Sequence, residues 1–267
     1  MSRITLTQLR KLKAKGEKIA VLTAYDASFA NLLDQACLEI LLVGDSLGMV
    51  IQGHDSTLPV TVENMIYHCQ QVHRGSQQTL LIVDMPFMSY ATPNTALETA
   101  ASLMREGQAQ VVKLEGGAWL VETVRMLTER GIPVCAHLGL TPQSVHQLGG
   151  YRIQGRTVNE ARRLRNDALA LQAAGASLLV LECVPSQLAA DITASLEIPV
   201  IGIGAGAACD GQVLVLYDML GITPGKGKRP SFSKDFLQET GTILAAIEAF
   251  VRAVKEGTFP GEEHTFN

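Results

Sequence analysis

TLLIVDMPF at 79–87 and VVKLEGG at 111–117 decide the fold. Each is a short run of Leu, Ile and Val without polar alternation, and each ends on an acid, Asp84 or Glu115. Continuous apolar runs of this length read as strands buried on both faces, the mark of a parallel sheet. A stretch with helical spacing, 94–106 after Pro93, lies between them. Working outward, the same pattern returns as IAVLTAYD (19–26), LEILLVGDS (38–46), PVCAHLGL (133–140), SLLVLECV (177–184), PVIGIGAG (199–206) and VLVLYD (213–218). The eight runs end at Asp26, Asp45, Asp84, Glu115, His137, Glu182, Gly204 and Asp218. Eight strand–helix units in about 250 residues match one α/β domain over 1–267, a (β/α)8 TIM barrel. Such a barrel assembles its site at the C-terminal ends of its strands, so the acids mark where chemistry is expected.

The chain has 267 residues, 47% of them hydrophobic, and a net charge of −4. With no long basic run, a nucleic-acid surface is excluded as its main purpose, and small-molecule work is favoured. No apolar stretch approaches the ~18 residues of a membrane span, and the N-terminus lacks the order of a secretory signal. A cytoplasmic protein without a membrane partner is expected. Five scattered cysteines, with no C-x-x-C, fit reduced thiols and not a zinc site. Strand alternation sends Cys183, next to Glu182, outward towards the helices.

Residues 4–16 place Ile4, Leu6, Leu9 and Leu12 at helical spacing before Gly16. This basic, acid-free segment also fits a transit peptide, but the first strand starts almost at once, so a helix capping the barrel's lower mouth is expected. Further helices are expected at 27–36, 119–130, 159–174 and 186–196, with one last helix over 234–255. Residues 47–78 read as an active-site loop leading into a helix, and 141–157 as a second polar loop on the acid-bearing face. GIGAGA (202–207) fits a dinucleotide fingerprint only weakly, because it follows the seventh strand and not the first.

Asp45 and Asp84 close neighbouring strands. Two carboxylates at close range repel unless a cation intervenes or one is protonated, and carboxylates with open positions for water and substrate are typical Mg2+ ligands. Each alone also reads as a helix N-cap. Lys113 and Glu115, two apart on one strand, share a side. That side is the lumen, where Lys113 is either half of a structural ion pair or a cation for an anionic substrate. Glu115 would complete the surroundings of the metal. Glu182 sits in a very apolar run, which favours a general base or acid over a paired structural acid. His137 reads equally as a group orienting substrate oxygens or as a hydrogen-bonded core histidine.

VGDSLGMVIQGHDSTLPVT (43–61), DMPFMSYATP (84–93), VKLEGG (112–117), HLGLTPQ (137–143), YRIQGR (151–156), LLVLECVP (178–185) and IPVIGIGAG (198–206) together closely resemble the ketopantoate hydroxymethyltransferase family. The resemblance runs from TAYD (23–26) through DGQVLVLYDMLG (210–221) to PGEEHTF (260–266). GKGKRPSF (225–232) departs from it, since the family more often carries a basic residue between Pro and Phe. The resemblance implies Mg2+ at Asp45, Asp84 and Glu115, substrate binding at Ser46 and Lys113, and a catalytic base at Glu182. It also implies 3-methyl-2-oxobutanoate as substrate, 5,10-methylenetetrahydrofolate as co-substrate, and a homo-oligomer, commonly a decamer in bacteria, serving pantothenate synthesis.

The expected reaction is a metal-assisted, aldol-type transfer of one carbon. Three rivals remain at this point: a Mg2+-dependent 2-oxo acid lyase or mutase on the same barrel, a metal-free enzyme using Lys113 as a Schiff-base nucleophile, and a catalytically silent barrel. The last has no need to bury so many charges near one another.

Overall fold

A computed structural model describes residues 3–223 and 229–267. Its eight strands, Ile19–Thr23 (β1), Ile40–Val43 (β2), Leu80–Asp84 (β3), Val111–Glu115 (β4), Val134–Gly139 (β5), Leu178–Glu182 (β6), Val200–Ile203 (β7) and Gly211–Leu214 (β8), form a closed parallel barrel in sequential order. The barrel closes where Ile19 pairs with Gly211 and Leu22 with Leu214. The strands are buried on both faces because helices cover the outside and side chains fill the lumen. Val21, Ile40, Ile82, Cys135, Leu178 and Ile201 pack around the lower lumen, leaving almost no free volume.

The N-terminal helix, Leu6–Lys15, starts with a capping box between Thr5 and Gln8 and ends at Gly16 in the left-handed region. Lys13 Nζ lies 2.7 Å from Asp210 Oδ2, and the Ile4 N–H donates to Gln78 O at 2.7 Å. Both partners stand just before strands begin, which places this helix at the lower mouth.

Several element boundaries differ from the sequence reading. The eighth strand begins earlier, at Gly211, and Leu216–Met219 is a helical turn. Asp218 therefore ends no strand; it accepts a hydrogen bond from the Thr223 hydroxyl. The last helix is two pieces, Leu237–Thr240 and Ile243–Lys255, because Gly241 takes a left-handed conformation between them. No helix separates β7 from β8. The C-terminal segment packs there instead, with the Phe266 ring 3.0 Å from where a Gly204 side chain would begin. Of the loop that departs from the family pattern, 225–228 lie outside the described residues.

The insertion after β2 holds a short turn of helix, Leu47–Val50, and a longer helix, Val62–Gly75, capped by Thr61. The polar loop after β5 folds into a 3-10 turn, Pro142–Ser144, and one helical turn, Val145–Leu148. Gly149 and Gly150 follow, both with positive φ.

Candidate active site

The register of the barrel sets up the site. Asp84 on β3 stands level with Lys113 on β4, and Glu115 on β4 stands level with His137 on β5. With a side-chain period of two, all four point into the lumen at its C-terminal end. Lys113 Nζ lies 2.6 Å from Asp84 Oδ1 and 4.0 Å from Glu115 Oε1. His137 is held between two carboxylates, with Nδ1 3.2 Å from Glu115 Oε1 and Nε2 3.3 Å from Glu182 Oε2. Both approaches are too oblique for well-formed hydrogen bonds, so charge and not alignment dominates these contacts.

Asp45 comes in from the loop after β2. Its N–H donates to Asp84 Oδ2 at 3.1 Å, and its Oδ2 accepts from Gln143 Nε2 at 2.8 Å. Gln143 also donates through its backbone N–H to Glu115 Oε2 at 3.0 Å, so it ties Asp45 to Glu115. The carboxamide oxygen accepts from Tyr90 OH, whose ring stacks on Trp119. Ser46 Oγ is 2.9 Å from Tyr25 OH, which fixes the hydroxyl at the same mouth. Neither Asp45 nor Asp84 caps a helix: Asp26 and Thr92 do that work after β1 and β3.

Burial and the neighbouring charges of Asp84 and Glu115 push the Asp45 carboxyl well above its usual range. Burial alone would discharge Lys113, but Asp84 and Glu115 outweigh it and hold the ammonium more firmly than usual. His137 is likewise opposed by burial and by Lys113, yet Glu115 and Glu182 raise it to about 9. Glu115 is lowered, its burial offset by His137 and Lys113. The floor thus sets two basic side chains, Lys113 and His137, among four acidic ones, and Lys113 gives its short contact to Asp84.

Among the described residues, no three His, Cys, Asp or Glu side chains form a closed metal-binding group. The donor set still fits a hard divalent ion that keeps several waters. Asp45 and Asp84 are oxygen donors on adjoining segments, and a cation would offset the burial and the crowding of charge that raise Asp45.

Above this floor opens a cavity of about 1270 Å³. It is walled by the loops after β2 and β5 and by the segment around Phe232.

A model of the family described as ketopantoate hydroxymethyltransferase matches residues 3–262. The chain belongs to the ketopantoate hydroxymethyltransferase family. It is 65% identical over 260 residues, 97% of its length and 98% of the other's, to a 3-methyl-2-oxobutanoate hydroxymethyltransferase of Nitrosococcus oceani. It is 60% identical over the full length of both chains to the protein of that name from Shewanella loihica. Among solved structures, phosphoenolpyruvate phosphomutase from Streptomyces platensis aligns with a TM-score of 0.61 at 12% identity, covering 81% of this chain and 82% of the other. A phosphonopyruvate hydrolase complexed with oxalate and Mg2+ aligns with a TM-score of 0.61 at 12% identity, covering 99% and 93%. At those identities the likeness is one of fold.

In this member of the ketopantoate hydroxymethyltransferase family, Asp45, Ser46, Asp84, Lys113, Glu115, His137 and Glu182 all line the one cavity. Two expectations are corrected. Glu182 is not isolated in apolar surroundings, since His137 stands beside it. Cys183 is not a further strand position: its φ of 49° breaks strand alternation just past the end of β6, and the residue lines the cavity. Gln143 and Tyr90 escaped the sequence reading. The TPQ that opens the polar loop was the available signal, but loop position alone did not reveal that a glutamine would reach across to Asp45.

Proposed function

We propose that the protein transfers a hydroxymethyl group from 5,10-methylenetetrahydrofolate to 3-methyl-2-oxobutanoate. The products are 2-dehydropantoate and tetrahydrofolate, with water supplying the hydroxyl oxygen. The observation that carries this reading is the buried set of Asp45, Asp84, Lys113, Glu115 and His137, with the half-buried Glu182 beside it on one cavity floor, in a chain with the relatives described above. Mg2+, held by Asp45 and Asp84 with Glu115 nearby, would supply the Lewis acidity that makes the C3 hydrogen removable.

The rest is done by the chain's own groups. Lys113, kept protonated by Asp84, takes the negative charge of the 2-oxo acid and of its enolate. Ser46, anchored by Tyr25, orients a substrate oxygen. Glu182 removes the C3 proton, and the His137 ring at 3.3 Å holds its carboxylate in place. A lysine this firmly protonated is a poor Schiff-base nucleophile, which disfavours the metal-free rival. Work in the cytoplasm as a homo-oligomer, a decamer, completes the proposal.

The test isolates proton removal from folate chemistry. Protein with Mg2+ and 3-methyl-2-oxobutanoate in D2O, without folate, incorporates deuterium at C3 by NMR. Glu182→Gln lowers that rate by ~10²–10⁴ while binding the acid as before. Equal exchange in the variant removes Glu182 as the base.

A further inference from the structure

A small branched 2-oxo acid fills only part of the cavity. At about 1270 Å³ it exceeds the ~300–1,000 Å³ that encloses a drug-sized ligand. Its charge is also separated. The floor holds Asp45, Asp84, Glu115 and Glu182, whereas the wall formed by the loop after β5 holds Tyr151, Arg152, Ile153 and Arg156. Tyr151 is 55% exposed and follows the Gly149–Gly150 pair, and burial of its ring, with Glu182 and Asp45 adding to it, raises its phenol. Its hydroxyl reaches the Met49 sulfur across the mouth at 3.6 Å.

Three other charged groups of the cavity lining are engaged. Glu160 accepts the Thr157 N–H at 3.0 Å, Arg229 stands 3.7 Å from Asp235, and Asp218 takes the Thr223 hydroxyl. Among the described residues, Arg152 and Arg156 have no carboxylate within ion-pair distance.

We propose that this wall is the subsite of the one-carbon donor: Tyr151 stacks on the flat pterin, and Arg152 and Arg156 receive the carboxylates of the glutamate tail. The inference rests on the function proposed above and adds the donor's orientation. On the floor Lys113 and His137 are already engaged by Asp84, Glu115 and Glu182, whereas the arginines of the wall are, among the described residues, unpaired, so the tail lies on the wall and the donor enters tail outward, with its one-carbon end towards Glu182 and Lys113. Paired arginines suit carboxylates because their planar forks bind them bidentately.

The experiment measures binding alone, by calorimetry under anaerobic conditions, with tetrahydrofolate and with 6-methyltetrahydropterin, which lacks the tail. Arg152→Ala/Arg156→Ala weakens tetrahydrofolate at least tenfold, leaves the pterin unchanged, and binds 3-methyl-2-oxobutanoate as wild type does. Arg152→Lys/Arg156→Lys recovers part of the loss, which separates charge from misfolding. Tyr151→Ala weakens both ligands and Tyr151→Phe neither. Unchanged tetrahydrofolate affinity in the double alanine variant overturns the subsite. A wild-type protein that exchanges the C3 hydrogen but binds no tetrahydrofolate overturns the donor assignment itself, and that result is visible before any variant is made.

Discussion

Asp84 serves two purposes that substitution can separate. It neutralises a lysine that is only 5% exposed, and it contributes an oxygen to the floor of the site. Asp84→Ala therefore leaves a buried ammonium without its short-range partner, and we expect it to cost about 3–5 kcal/mol in denaturant unfolding. Asp84→Ala/Lys113→Met removes both charges and regains most of that stability, yet stays inactive because the oxygen donor and the substrate cation are gone. Turnover in either variant, or undiminished activity after thorough chelation, would remove Asp84 from the metal. At this scale the acids were legible at once, because a charged residue ending an apolar strand has few other reasons to be there. Their partners were not, since pairing depends on which side chains stand level across strands.

The loop after β5 is the element that completes the floor. Gln143 enters it through two side-chain donors and one backbone N–H, touching Asp45, Met85 and Glu115. Gln143→Ala keeps the backbone contact but leaves Tyr90 OH only its longer bond to Glu115 O at 3.4 Å, and takes from Asp45 Oδ2 its side-chain donor. A loss of about 1–3 kcal/mol is expected from thermal unfolding. Mn2+ affinity, read by electron paramagnetic resonance, should fall ~10–100-fold, as when any group orienting a ligand is removed. Unaltered Mn2+ binding would show that the loop merely covers the site. The strands and most helices of this protein were readable from local pattern, whereas β8 was misplaced. VLVLYD looks like a strand to its end, but Leu216–Met219 turns away because the Leu216 N–H is taken by the Thr23 hydroxyl at 2.9 Å.

For the molecule as a whole, the thiols report how closely the barrel is packed. Cys37 is exposed, and Cys69, Cys135, Cys183 and Cys209 are buried. Burial pushes Cys69 and Cys135 up to about 12 and Cys209 up to about 11. The folded state thus keeps these protons in a range where the unfolded chain, with thiols near 9, has released them. Stability is full below pH 9 and falls as pH rises towards the folded values, by up to ~1.4 kcal/mol per pH unit for each thiol. Denaturant melts between pH 8 and 11 would test this, and a flat midpoint would contradict it. A thiol reagent at pH 8 should modify Cys37 alone in the native protein and all five cysteines once unfolded.

The sequence by itself determined the class of fold, the order of the strands and the identity of the charged residues that meet. Continuous apolar runs can be satisfied only between two covered faces, and strand periodicity alone puts Lys113 and Glu115 in the lumen. Only the tertiary structure decided who partners whom. Closure of the barrel sets the register that levels Asp84 with Lys113 and Glu115 with His137. The left-handed turn at Cys183 lies at the end of a strand whose pattern suggested nothing but continuation. Gln143 reaches Asp45 across 98 residues of chain. Such contacts are long-range, and a local pattern carries no information about which distant group will fill the other half of a buried pair.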